Sequence, residues 1–428
     1  MKFFRTKFNA CLGAFASLCF LSGTADAVLA SVKATGMAGT AVAYPQDTLS
    51  GAFNPAGLAD VGNRWDLGIF AVRYNGQSKV TGNTIPGVNG TFNGFRTFGG
   101  EWQFSPDVGV NKEFCLCDDW NMTFGVIGYN RNYIKTRYHD SFVLLGTSKL
   151  KLEYVNEQIS PIWTVKFCDK YAFGVSLDFL VQRLKVSGVQ NFDNVIFSAH
   201  PNHVTNRRYA YSYGVGVTIG GRVQISPVLS VGLAYHPETH MSRFKKYRGF
   251  LADRGKFNIP HRILGGIAWR FMHCATLAFD VEHVGWNKIK ALNNNLLHSG
   301  TLELLGSQNG PGFGWKSQTF YRVGVDYDIC ESLTVRGGYR YARTPVRSSQ
   351  TVVNQLSLET VQSVLTLGAT WCLNACSEVS FMYAHGFNHK VRGHHSIPES
   401  VNGIPFGGGE ADLRQHLDVV GLSWGQTF

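Results

Sequence analysis

The chain lacks any hydrophobic run that could cross a membrane as a helix. Its longest, Ala10 to Leu21, falls short of the roughly 20 apolar residues a spanning helix needs. Charge is sparse at 16%. Acidic residues are outnumbered, 29 against 40 Lys and Arg, for a net charge of +11. The basic residues are scattered rather than gathered into a patch, and the chain reads as exported, which excludes nucleic acid as a partner. No nucleophile stands with a base in a recognisable order, so an enzyme is not expected. No CxxC pair accompanies nearby histidine, so neither a metal site nor a cofactor is expected. His385, His389, His394 and His395 read as a solvated loop.

What is present points to export. Lys2, Arg5 and Lys7 precede the apolar run, and Ala25-Asp26-Ala27 fits a small-x-small cleavage pattern. Residues 1–27 therefore read as a secretory signal. The residues before Cys11 and Cys19 make a poor lipoprotein box, so no lipid anchor is expected. The 48 glycines, 13% aromatic content and mean hydropathy of −0.07 suit an outer-membrane barrel, greasy outside and polar within.

Period-2 alternation recurs along the rest of the chain. Phe173, Val175, Leu177 and Phe179 alternate with Gly174, Ser176 and Asp178. Tyr321, Val323, Val325 and Tyr327 alternate with Arg322, Gly324 and Asp326. Fourteen strands are expected, at 62–75, 96–114, 119–136, 151–167, 171–186, 208–225, 229–245, 257–272, 276–288, 318–329, 333–343, 361–372, 377–389 and 414–428. Short turns alternate with long connections, as between the periplasmic and external ends of a bacterial barrel. The last residues, Val420, Leu422, Trp424 and Phe428, resemble the C-terminal signal read by the barrel-assembly machinery, although Gln426 breaks the series. The expected fold is all-β: a 14-stranded antiparallel transmembrane barrel over 62–428, with 28–61 as an N-terminal hatch in its lumen. Gly36 to Leu58 is small, nearly uncharged and too poor in large side chains to fold alone.

The polar phase of the strands selects lumen-facing positions. It carries Asp178, Asp280, Glu282, Arg262, Arg270, Arg322, Asp326, Arg336 and Arg340. Buried charges must pair or meet water. Most of these are expected to brace the barrel; Arg322, Arg336 and Arg340 are candidates to meet a substrate carboxylate.

Seven cysteines follow the signal: Cys115, Cys117, Cys168, Cys274, Cys330, Cys372 and Cys376. Each lies at or beside a short turn. On the barrel reading they ring the periplasmic rim. An odd number in an oxidising compartment leaves a thiol unpaired or linked to another chain. Cys372 and Cys376 are placed to bridge one hairpin. Other cysteine-containing envelope proteins are candidate partners.

Gly36-Met37-Ala38-Gly39, Ala41 to Asp47 and above all Asn54-Pro55-Ala56-Gly57-Leu58 carry a family likeness. So do Ile259-Pro260-His261-Arg262, Asp280 with Trp286, Trp315 to Tyr327, and Arg336-Gly337-Gly338-Tyr339. Together they resemble the FadL family of outer-membrane transporters for long-chain fatty acids and aromatic hydrocarbons. The resemblance implies a Gram-negative outer membrane, a plugged 14-strand barrel and passive uptake of a fatty acid or hydrocarbon. It also implies sideways exit into outer-membrane lipid, past a kinked third strand near Asn121 to Tyr129. Gly125 and Gly128 are the kink candidates, and Asn54, Pro55, Ala56 and Gly57 the gating ones. The connections 187–207 and 246–256 are modest for the family's external groove. The leucines of 289–317 offer an apolar landing patch instead. A water-filled porin or a structural, disulfide-crosslinked barrel is the alternative.

Overall fold

A computed structural model describes residues 30–87, 90–298 and 300–428. The signal and its cleavage point near Ala27 lie outside them. Fourteen long strands form one closed antiparallel barrel. We number them β1 (Arg64–Thr81), β2 (Gly94–Cys117), β3 (Trp120–Ser141), β4 (Lys149–Phe167), β5 (Tyr171–Ser187), β6 (Ala210–Ser226) and β7 (Leu229–His236). The second half is β8 (Arg262–Met272), β9 (Ala275–Val284), β10 (Gln318–Cys330), β11 (Leu333–Ala342), β12 (Ser363–Asn374), β13 (Ser377–Val391) and β14 (Glu410–Thr427). Each strand pairs with its neighbours in sequence. The barrel closes where β1 meets β14 along all 18 residues of β1. The chain end returns to the start of β1 through Phe428 N–H donating to the Asn63 carbonyl at 3.1 Å.

Alternation has the inverted sense of a membrane barrel. Phe173 (55% exposed) and Leu367 (57%) belong to a continuous outer belt of Phe, Leu, Val, Ile and Trp. Such a belt in water would drive aggregation; in lipid it is the solvated face. On β10 the polar phase, Arg322 and Asp326, points inward and is buried.

Several boundaries differ from the expected ones: β1 runs on to Thr81 rather than 75, β9 stops at Val284 rather than 288, and β14 starts at Glu410 rather than 414. β7 stops at His236 rather than 245, because Pro237 offers no N–H to the ladder. β8 begins at Arg262, after Pro260. The segments between them still touch through a Thr239–Ile259 bridge. β3 runs on to Ser141, so the next connection shrinks to 142–148. The inner face is also less polar than expected. Phe70, Val72, Met382, Ala384 and Val419 lie buried inside β1, β13 and β14. The lumen thus has a polar wall and an apolar wall.

Candidate functional site

The segment before β1 folds inside the barrel as three short turns of helix. The first, α1 (Val32–Gly36), is capped by the Ser31 hydroxyl. A 3-10 turn at Thr48–Ala52 follows a capping box in which Asp47 and Ser50 satisfy each other's backbone N–H. Burial, with Asp66 beside it, pushes the Asp47 carboxyl above the usual carboxylate range. A second 3-10 turn, Pro55–Asp60, is capped by Asn54, with Pro55 at its first position, where the missing N–H costs nothing.

Asn54 uses its amide fully. Its Oδ1 accepts from Ala56 N at 3.0 Å, while Nδ2 donates to the carbonyls of Val42 (2.8 Å) and of Gly221 on β6 (3.1 Å). The Pro55 carbonyl accepts from Thr164 Oγ1 of β4 at 2.8 Å. The Asn-Pro-Ala stretch is therefore a joint between two parts of the segment and the wall. Further ties ring the lumen. Asp280 accepts from Ala41 N and Val42 N at 2.9 and 3.0 Å, and Asp107 from Ser31 N at 2.9 Å. Tyr44 donates to Asp326 at 2.7 Å, and Thr366 Oγ1 bridges the Ala38 N–H and the Gly36 carbonyl.

Glycines in the wall make this approach possible. A Cβ at Gly174 would stand 2.5 Å from Ala56 N, and one at Gly232 would stand 2.2 Å from the Val42 carbonyl. At Gly324 and Gly338 it would meet Met37 at 2.6 and 2.5 Å, and at Gly109 the Thr48 hydroxyl at 2.1 Å. Gly220, Gly266 and Gly368 press on Asn54, Val42 and Gly36 in the same way. Gly125 belongs to this set. Its Cβ would strike Leu58 at 2.7 Å, so it makes room for the segment. Gly57 stands within the segment against Pro45.

The lumenal arginines are engaged. Glu282 is buried between Arg262 and Arg322 and bridges both. Arg336 donates to Gln46 Oε1 at 2.7 Å and to Thr370 Oγ1 at 2.6 Å, one contact on the segment and one on the wall. Arg340 lies over the Phe320 ring at 5.5 Å. Lys33 of α1 pairs with Glu378, which also holds Arg64. Arg131 and His236 are among the buried groups not named from the sequence. Arg131 donates to Gln158 at 2.9 Å, and His236 sits 2.8 Å from Thr218 Oγ1. Both fall where a bulge or a strand end breaks the period. His385 faces Asp418 at 2.8 Å, and His394 packs on His395 with ring centroids 4.2 Å apart.

The wall is open between β2 and β3. β2 and β3 pair at Phe98–Tyr138 and again from Val108–Gly128 downward, in the same register. Residues 99–107 and 129–137 between them are unpaired with each other. β3 stays paired to β4 there, with a bulge between Asn130 and Asn132. Gly128 is thus the last rung below the split. Side chains reach across it: Asn130 to Ser105 at 2.8 Å, and Arg137 and Lys135 to Glu101 at 2.9 and 3.3 Å.

Above the segment, the external connections enclose a cavity of about 90 Å³. Leu144, Leu145, Phe192, Leu296, Leu305, Phe313, Leu356 and Phe406 are among its walls, and no charged residue lines it. The leucines expected to form a landing patch are divided. Leu296 and Leu305 line this cavity, Leu292 and Leu302 are buried, and only Leu304 is exposed. Helix there is limited to Lys290–Asn293. Leu145 of the cavity wall shares a buried cluster with Phe142, Tyr138 and Phe98, an aromatic row that ends at the split. Phe142 packs on Tyr138 with centroids 4.6 Å apart, and Tyr138 packs on Phe98 at 5.2 Å. Gly76 of β1 leaves the space Phe98 fills.

All seven described cysteines carry free thiols at the end bearing the short turns. Cys115, Cys117, Cys168, Cys330 and Cys376 are exposed; Cys274 and Cys372 are partly so.

A lipid-facing barrel with a filled lumen, an apolar external cavity and a split wall defines an outer-membrane channel for hydrophobic molecules. The sequence profile described as "Outer membrane protein transport protein (OMPP1/FadL/TodX)" matches residues 16–406. The chain belongs to this family of outer-membrane transport proteins. Among solved structures it is similar to a FadL homologue of Pseudomonas aeruginosa, with 17% identity and a TM-score of 0.69 over 95% of this chain and 100% of that one. It is similar also to the Pseudomonas putida toluene transporter TodX, at 14% and 0.64 over 93% and 98%. The Ralstonia pickettii toluene transporter TbuX gives 15% and 0.58 over 93% and 98%. At these identities the structures speak to the fold. No curated protein sequence matches the chain.

Proposed function

We propose that the protein carries apolar small molecules, long-chain fatty acids or hydrocarbons, from the external cavity to the β2–β3 split and releases them sideways into the membrane. The observation that carries the reading is the unpaired stretch at 99–107 and 129–137, at the end of the Phe142, Tyr138 and Phe98 row that shares a buried cluster with Leu145 of the cavity wall. An apolar molecule gains nothing by continuing into the aqueous periplasm, and the N-terminal segment fills that path as a hatch. Engineered apolar cavities of about 150 Å³ hold benzene. At about 90 Å³ the external cavity must widen before it takes even one ring. A long chain would extend from it down the aromatic row. In this reading Arg322 braces the wall through Glu282 and Arg336 ties the wall to the segment, with Asn54 and Pro55 as the joint on which the segment shifts.

Locking the split tests the route. Ser105→Cys with Asn130→Cys, in a background whose rim cysteines are serine, places two thiols where a 2.8 Å hydrogen bond now lies. Oxidation is expected to lower uptake of a labelled fatty acid or aromatic hydrocarbon at least tenfold, and reduction to restore it. Uptake indifferent to oxidation would refute lateral exit.

A second reading has its own observation. Free thiols crowd one rim of the barrel, which suits a barrel crosslinked to other cysteine-bearing envelope proteins. Gel electrophoresis of whole envelopes without reductant is expected to show high-mass species that collapse to the monomer with reductant. A monomer under both conditions would eliminate the crosslinked form.

A further inference from the structure

The outer face above the lipid-facing belt is not uniform. Around β6, β7, β10 and β11 it carries tyrosines, with Tyr211, Tyr213, Tyr235, Tyr321 and Tyr341 all exposed. On β3, β4 and β5 it carries cations. Along β5 the outward series Phe173, Val175, Leu177, Phe179, Val181 gives way to Arg183 and Lys185. Along β4 the outward Trp163 and Ile159 give way, past Glu157 and Glu153, to Lys151 and Lys149. β3 adds Lys135 and Arg137.

Like charges are brought together by the register. Arg137 lies directly across from Lys151, a cross-strand pairing that destabilises a sheet. Lys151 also lies in the field of Lys185 and Lys149, with Glu153 as the nearby carboxylate. Glu101 answers Lys135 and Arg137. Lys135, Arg137, Lys149, Lys151, Arg183 and Lys185 thus stand against Glu101, Glu153 and Glu157. The split opens among them as a cavity of about 210 Å³, lined by Glu101, Lys135, Arg137, His139, Lys149 and Lys151.

We propose that this cavity and its basic rim bind the phosphate of a lipid in the outer leaflet, seating an anionic headgroup at the outer mouth of the split. A phosphate between Arg137 and Lys151 would turn a repulsive pair into two charge-assisted contacts. Membrane anions attract flanking Lys and Arg. Position favours a lipid over a soluble anion, since the cations begin where the apolar faces of the same strands end, at headgroup depth. The site stands on charge and geometry independently of the transport route.

The test uses the full mature chain in detergent and native mass spectrometry. The probes are diphosphorylated lipid A, its dephosphorylated form, and inorganic phosphate as competitor. The diphosphorylated lipid is expected to bind at least tenfold more tightly than the dephosphorylated one, with affinity falling as salt is raised. Lys149→Gln with Lys151→Gln is expected to weaken it at least tenfold. Equal binding of both lipids would overturn the proposal, as would displacement by millimolar inorganic phosphate or an unaffected variant. If the variant fails to fold, the comparison of the two lipids on the unaltered protein still decides.

Discussion

Glu282→Gln is expected to destabilise the barrel by about 3–5 kcal/mol, the range for removing one partner of a buried ion pair. Glu282 carries two guanidinium groups, those of Arg262 on β8 and Arg322 on β10, and all three side chains are at most 6% exposed. Neutralising the carboxylate leaves both cations in the lumen wall without their counter-charge. Replacing all three residues by methionine should recover most of the loss, because an apolar cluster of similar volume does not bear the desolvation cost. Urea unfolding in lipid vesicles, followed by tryptophan fluorescence, measures both. A loss below about 1 kcal/mol for Glu282→Gln would show that water already solvates the trio. The same variants separate two roles for Arg322. A brace is reported by stability, whereas a carboxylate receptor would change fatty-acid affinity in the Met triple variant with stability restored.

Gly338→Leu should displace the N-terminal segment, and Gly337→Leu should not. The two glycines are neighbours on β11 and face opposite ways. A Cβ at Gly338 would stand 2.5 Å from the Met37 carbonyl carbon and 2.7 Å from Ala38 N. These are backbone atoms, so no rotamer change relieves the clash, and the cost exceeds the 1–3 kcal/mol typical of overpacking a side-chain core. A Cβ at Gly337 would meet nothing nearer than the Thr366 carbonyl at 3.9 Å, on the lipid side. In planar bilayers Gly338→Leu is expected to pass a steady ion current, while the unaltered protein and Gly337→Leu stay closed. Equal conductance of the two variants would show that the segment does not seal the lumen.

Part of this was open to inference from residues alone. On β10 and β11 apolar and polar residues alternate cleanly, so the inward set, Arg322, Asp326, Arg336 and Arg340, could be named. On β1 both faces are apolar, and period 2 cannot tell Ile69, which meets lipid, from Phe70, which is buried. The glycine cradle left a trace, since Gly174, Gly324 and Gly338 stand in the polar phase of their strands. Its meaning required knowing what lay opposite. Gly125 shows the difficulty, being equally fit for a bend or for a close approach. The external cavity was invisible because its walls come from several separate connections. The split was invisible because a missing ladder is a property of two strands, and neither the Asn130–Asn132 bulge in β3 nor Gly99-Gly100 in β2 reveals by itself what the partner strand does.

The cradle also constrains the order of events in assembly. Main chain presses on main chain from many strands at once, and the far end is capped by the external connections. If the segment lies in the groove of the still-open sheet, every one of these contacts forms without threading, and the meeting of β1 and β14 then locks it in place. On that order of events the leading end of the polypeptide serves as the mandrel around which the wall is wrapped.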